Sequence, residues 1–282
     1  MNNIYNIYGE STKFDDEKYS LVIFMGQSNM LGQSESAGTA TSLTDEGYQF
    51  KSITDPTKLY VASEPFGNGE SNSSMTCIGS GGMVTSIMKA YNEKTGNKLI
   101  GVMSAVKGSG IDEWQPDGDY LTETIRRLSV TKTWLSDNGY ELDHVYGVWC
   151  QGEHEAIGEA DGPAYIESFS NVWNALKAAG VEKCFLVRIG YAESTSTNDG
   201  FSAIMNAQNS ICKNDPDCIM ASTRLSTMQG RGECATTYHY TQTAYNEVGF
   251  DVGYNIAYYE LTGKDPVMYD NVNDELYYSK FS

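Results

Sequence analysis

Five short apolar runs constrain this chain most: residues 20–25, 99–106 (LIGVMSAV), 144–150 (HVYGVWC), 184–190 (CFLVRIG) and 218–223 (CIMAST). They read as strands buried in a sheet, and the stretches between them carry apolar residues at helical spacing. Ile166, Phe169, Trp173 and Leu176 step by three, four and three, with a glycine stop at Gly180. Ile125, Leu128 and Leu135 mark another helix, ended by Asn138-Gly139, and Ala244, Val248, Val252 and Ile256 form one stripe of a late helix. Strands alternating with helices imply a parallel α/β sheet covered on both faces.

The 282 residues suit one large domain, with no internal repeat or Pro-rich linker. Residues 1–18 read as an N-terminal extension. Residues 263–282, with Tyr269, Tyr277 and Tyr278, read as a C-terminal surface extension holding an irregular strand or two. Residues 33–78 are rich in Ser, Thr, Gly and Asn with little periodicity, and are expected as a long excursion beside the site. Nineteen Lys and Arg face 37 Asp and Glu, and the net charge of -18 repels phosphate backbones and anionic lipid. Nucleic acid and membrane partners are therefore not expected.

Twenty tyrosines among many small polar residues suit a carbohydrate-facing surface. Cys150 and Cys184 lie beside apolar runs and read as buried thiols, whereas Cys212 and Cys218 could close a short surface disulfide in an exported protein. The first twenty residues lack the basic start and apolar core of a secretory signal. The expected location is the cytoplasm, or outside the cell if a signal has been removed.

"FMGQSNMLG", residues 24–32, places Ser28 on the first loop past a strand, where open α/β sheets bind ligands. Ser28 could equally cap the next helix. The third run leads into "WCQGEHEA", and His239 stands in "TTYHYTQTAY" before the last helix. A serine, a late histidine and polar groups at one sheet edge are the parts of acyl transfer. Zinc is the competing reading, but "HEAIG" has Gly158 where a zincin helix needs its second histidine, so no metal is expected. His144 opens a strand and reads as structural. An α/β-hydrolase elbow is disfavoured, because Met30 replaces the last glycine of G-x-S-x-G.

"GQSNMLG" (26–32), "AVKGSGIDEW" (105–114), "QGEHEA" (151–156) and "HYTQTAYNEVG" (239–249) together resemble the blocks of SGNH hydrolases. Within these the similarity is to the sialate O-acetylesterase-like group, which includes carbohydrate esterase family six acetylxylan esterases. The resemblance implies a flavodoxin-like three-layer α/β/α sandwich with a central, mainly parallel five-stranded sheet. It also implies a serine esterase that removes O-acetyl groups from carbohydrate without a cofactor.

Carried over by position, Ser28 matches the nucleophile and His239 the base. The oxyanion hole would comprise the Ser28 N–H, Gly79 or Gly81, and the Gln151 amide. Gln27, Asn29 and Lys107 are candidate substrate contacts. The family commonly places an aspartate three residues before the histidine, where this chain has Thr236. The third member could then be Glu153, a remote carboxylate such as Glu233, or a backbone carbonyl beside a Ser–His dyad; Glu153 is the favoured choice. Acetylated xylan, sialic acid or a related glycan fits this machinery. The alternatives are a degenerate fold that only binds glycans, or an esterase for a non-carbohydrate acyl ester.

Overall fold

The computed structural model describes residues 3–5, 11–13, 18–193, 198–270 and 275–277. A hairpin of β1 (Asn3–Tyr5) and β2 (Ser11–Lys13) comes before β3 (Tyr19–Gly26), every residue of which is buried. The chain then runs through α1 (Ser28–Leu31), β4 (Gly47–Lys51), β5 (Asp55–Val61), α2 (Val84–Thr95) and β6 (Lys98–Ala105). It continues through α3 (Asp119–Asp137), β7 (Leu142–Cys150), α4 (Glu153–Ile157), α5 (Gly162–Ala178), β8 (Lys183–Val187), α6 (Asn198–Asn214) and β9 (Cys218–Ser222). Last come α7 (Leu225–Met228), α8 (Gln242–Thr262), and a hairpin of β10 (Met268–Asp270) and β11 (Glu275–Tyr277).

Among the described residues the main sheet has seven strands in the order β5-β4-β6-β3-β7-β8-β9. The five apolar runs supply β6, β3, β7, β8 and β9, all parallel. The sheet therefore exceeds the expected five strands by β4, parallel to β6, and β5, antiparallel on the edge. Both lie in the stretch read as an excursion. β5 is largely exposed and polar, and β4 carries Gly, Gln and Lys, so neither announces itself as an apolar run.

Right-handed crossovers place the helices on both faces. The chain moves from β3 outward to β4 and β5, returns through α2 to β6, then crosses β3 to β7, β8 and β9 through α3, α5 and α6. α2 therefore covers one face, where it packs on α8, and α3, α5 and α6 cover the other. The late helix buries Ala244, Val248, Val252 and Ile256 completely, as its stripe requires. The expected helices end at Asp137, capped by Asn138, and at Ala178, two residues before Gly180 with its φ of +88°.

The tail is pinned at Asp270. Its buried carboxylate pairs with the guanidinium of Arg188, just past β8, and accepts from Asn209 Nδ2 at 2.7 Å. Tyr278 lies outside the described residues. Cys212 and Cys218 are buried thiols and not a surface bridge, because β9 carries Cys218 inward opposite Cys184 on β8. No described helix is long and apolar enough to cross a membrane.

β3 is the central strand, and its last residue, Gly26, lies opposite Ala105 of β6 and Cys150 of β7. Gly26 has φ +125°, and a Cβ there would lie 2.1 Å from the Cys150 carbonyl oxygen. Gly26→Ala should therefore destabilise the fold by roughly 2 kcal/mol or more, measured by urea unfolding.

Candidate active site

The chain leaves β3 toward β4 on one side, and leaves β6 toward β7 on the other. Ser28 sits at that reversal, the place where doubly wound sheets open a crevice. Gln27 N–H donates to the Cys150 carbonyl at 3.0 Å, so the turn bearing Ser28 is fastened to the end of β7. Ser28 is 4% exposed and opens the four-residue helix α1. Its side chain does not cap that helix; Gln27 occupies the N-cap position.

Gln27 and Asn29, expected to touch substrate, are buried inward instead. Gln27 Oε1 accepts from the N–H groups of Gly152 and His154, at 3.4 and 3.3 Å. Asn29 is 0% exposed and uses its whole carboxamide. Its Nδ2 donates to Glu153 Oε1 and, at 3.1 Å, to the carbonyl of Tyr238, while its Oδ1 accepts from Tyr245 OH. The Tyr238 bond brings His239 to the Ser28 turn.

His239 lies on a hairpin closed by the antiparallel bridge between Cys234 and Tyr240. The His239 carbonyl accepts from the N–H groups of Ala235 and Thr236, at 2.9 and 3.2 Å. The Glu193 N–H, past β8, holds the hairpin through the Thr237 carbonyl at 2.8 Å. The imidazole is half-buried, and its Nδ1 lies 3.0 Å from Thr236 Oγ1. Burial and then the positive charge of Lys107 hold its pKa below the ordinary histidine value.

Glu153, favoured from sequence as the imidazole's carboxylate, is bound by Asn29 instead. It is 2% exposed, and its Oε2 has no hydrogen-bond partner among the described residues. Burial pushes its pKa up to about 7, against the Asn29 bond, which favours the charged form. Glu233 is no substitute, because its carboxylate accepts from Thr241 Oγ1.

Gln151 also departs from expectation. Its Nε2 donates to the Ser109 carbonyl at 3.2 Å and to Glu155 Oε2, which uses both amide hydrogens and leaves none for an oxyanion. Glu155 Oε1 accepts from Ile111 N–H at 2.6 Å, so Gln151 and Glu155 clamp the loop after β6. Sequence reasoning passed over Glu155, although its i, i+4 spacing from Gln151 was visible in "QGEHE". Trp114 packs in the same loop, donating from Nε1 to Ser109 Oγ at 3.0 Å.

The glycines expected as further donors stand elsewhere. Gly79 gives its N–H to Asn68 Oδ1 at 3.3 Å and packs on the carbonyls of Leu31 and Gly32. Gly81 has φ +149°, and a Cβ there would lie 2.3 Å from Ser34 Oγ and 2.4 Å from Gln242 Oε1. Both hold their loop at the Leu31–Gly32 end of α1. Gly108 stands on the loop after β6, which the bond from Val106 N–H to the Gly26 carbonyl, 2.9 Å, fastens to the strand end before Ser28. It is exposed, with φ +75°, open space where a Cβ would lie, and its carbonyl 3.0 Å from His154 Nδ1. Lys107 is the exposed residue before it.

The histidines have separate partners. His144 Nδ1 meets Glu182 Oε2 at 2.9 Å and its ring stacks on Tyr146, while His154 faces Gly108. Asn29 thus ties the Ser28 turn to the His239 hairpin, and the bond from Val106 to Gly26 ties the glycine-bearing loop after β6 to the strand end before Ser28.

Comparison with known proteins decides what that arrangement belongs to. The model of the family described as carbohydrate esterase, sialic acid-specific acetylesterase matches residues 18–256. The chain belongs to this family. It is a carbohydrate acetylesterase, a carboxylic ester hydrolase. None of the curated proteins matches the sequence.

Solved structures share its fold. A protein from Arabidopsis thaliana has TM-score 0.63 at 16% identity, over 84% of this chain and 97% of that one. NanS has TM-score 0.63 at 12% identity, over 88% and 99% of the two chains. A carbohydrate acetylesterase from Xanthomonas citri has TM-score 0.55 at 15% identity, over 89% of this chain and 60% of its own.

Because Glu153 does not meet the imidazole, Glu153→Gln should keep kcat/KM within about fivefold of the parent. Its folded pKa stands above the ordinary 4.5, so the stability it lends is present at low pH and lost as pH rises through about 7. The variant should therefore gain more in Tm over the parent at pH 8 than at pH 5, measured by thermal unfolding.

Proposed function

We propose that this esterase is a serine enzyme that removes O-acetyl groups from carbohydrate through an acyl-enzyme intermediate, with Ser28 as nucleophile and His239 as base. The observation that carries the reading is Asn29, whose single amide group ties the Ser28 turn to the His239 hairpin. Nucleophile and base are thus held by one residue adjacent to the first and one peptide unit from the second. The chain is read as one catalytic domain, with residues 1–18 and 263–282 as extensions.

In the first step Ser28 Oγ bonds to the acetyl carbonyl carbon while His239 Nε2 takes its proton. The backbone N–H groups of Ser28 and Gly108 are the donors proposed for the resulting oxyanion. Collapse breaks the bond to the sugar oxygen, which leaves with the proton from His239. Water then repeats the sequence on the acetyl-serine, giving acetate and free Ser28. Gln151 and Glu155 contribute by holding the Gly108 loop in place.

Lys107 points the substrate class toward acidic sugars. It is exposed and its charge reaches the imidazole, whereas Arg231, a second exposed cation, is already paired with Glu247 at 2.7 and 2.8 Å. An O-acetylated sialic acid carries the carboxylate such a lysine would meet. A protein that only binds glycans would not turn over any ester.

Ser28→Ala should cut acetate release by at least about a thousandfold without loss of fold, since the change deletes one hydroxyl. Acetate release from O-acetylated sialic acid, acetylated xylan and p-nitrophenyl acetate, run beside the parent, measures this. Lys107→Ala should raise KM for the sialic acid ester about fivefold, the worth of one exposed ion pair, and leave KM for p-nitrophenyl acetate unchanged.

A further inference from the structure

A hydrolytic serine–histidine pair needs its imidazole held in one tautomer, and a buried carboxylate on Nδ1 usually does this. Around His239 the titratable groups come from five directions. On its own hairpin Glu233 is engaged with Thr241, and the Cys234 thiol is pushed up by burial and by Glu193 and Glu233. Past β8 Glu193 holds the hairpin by its backbone. On α4 Glu153 is bound by Asn29, and on α8 Tyr245 donates to Asn29. From the β6 loop comes Lys107, whose charge does act on the ring but has the sign opposite to a triad acid.

The group that does meet the ring is a hydroxyl. Thr236 and His239 stand three residues apart in a hairpin whose turn is closed by two backbone bonds to the His239 carbonyl, one from Thr236 itself. That turn sets Thr236 Oγ1 3.0 Å from Nδ1. We infer that Thr236 is the positioning residue of a Ser28–His239–Thr236 array, in which Thr236 Oγ1 accepts the Nδ1 proton and leaves the Nε2 lone pair for Ser28. The inference rests on the serine esterase reading and names a partner that carries no charge.

A hydroxyl that accepts from Nδ1 favours the tautomer a base needs, but less strictly than a carboxylate, because it can also donate, and it stabilises the imidazolium of the transition state less. The base then stays unprotonated to lower pH, at a cost in rate.

The experiment uses the full chain with p-nitrophenyl acetate and three variants of position 236, which is exposed and tolerates change. Thr236→Val should lower kcat about tenfold, the worth of one hydrogen bond acting in the transition state, with KM unchanged. Thr236→Ser should restore the parent rate. Thr236→Asp should move the acid limb of kcat/KM upward by about one pH unit. Nitrogen-15 NMR reads the tautomer directly: the chain has three histidines, and His239→Ala assigns the signal. The parent should show the proton on Nδ1, and Thr236→Val a mixture of tautomers.

A Thr236→Val protein with parental kcat and an unmixed tautomer would overturn the inference, as would a serine variant as slow as the valine one. Failure of the underlying reading looks different: Ser28→Ala and His239→Ala would then turn over at the parent rate.

Discussion

The site depends on the carboxamide of Asn29. It is fully buried and has no spare capacity: both hydrogens and its oxygen are bonded to Glu153, the Tyr238 carbonyl and Tyr245. These partners come from α4, the His239 hairpin and α8, elements separated by more than a hundred residues from Asn29 in sequence. Losing the amide would strand several polar groups at once, each at about 1–3 kcal/mol, so the four segments have one arrangement that satisfies them all. Rigidity at Ser28 is thus bought by polar bonds behind it, and not by contacts of the serine itself.

The electrostatics of the crevice follow from what those bonds consume. Glu153 is the carboxyl group nearest in design to a triad acid, yet Asn29 holds it and burial drives it toward the neutral form below about pH 7. Glu155 is spent on Ile111 and Gln151, and Glu233 on Thr241. A chain of net charge -18 therefore presents an imidazole whose strongest charged neighbour is a lysine. Desolvation and that lysine act in the same direction, both favouring the neutral ring that a general base requires.

How much of this was legible follows from the physics of each signal. The five parallel strands could be read because burial on both faces leaves unbroken apolar runs. β4 and β5 could not, since β4 mixes Gly, Gln and Lys into a short strand and β5, on the edge, stands half in water. Ser28 and His239 stood out by resemblance to a family and by their places beside a strand end and before a helix. The roles of Gln151, Glu153, Gly79 and Gly81 did not, because residue type fixes what a group can bond to but not which neighbour reaches it first. Gln151 became a clamp once Ser109 and Glu155 claimed both its hydrogens, and Asn29 became a hub where a sugar contact was expected. Thr236 was visible only as a missing aspartate; its hydroxyl acquired meaning when the hairpin turn set it on the ring.

The missing aspartate and the extra lysine belong to one argument. A carboxylate on Nδ1 would stand beside the same imidazole that already feels Lys107, and would lie in the field of that lysine. It would then draw part of the positive charge to itself, and a substrate carboxylate would meet a partly neutralised site. At physiological ionic strength charges are screened beyond about 8 Å, so the distant acidic surface matters less to a bound sugar than one cation at the crevice. A hydroxyl accepting from Nδ1, as proposed for Thr236, would support the same tautomer while leaving that cation's field to the substrate. The proposed array would thus give up some stabilisation of the imidazolium and leave the lysine's charge available to an acidic ligand.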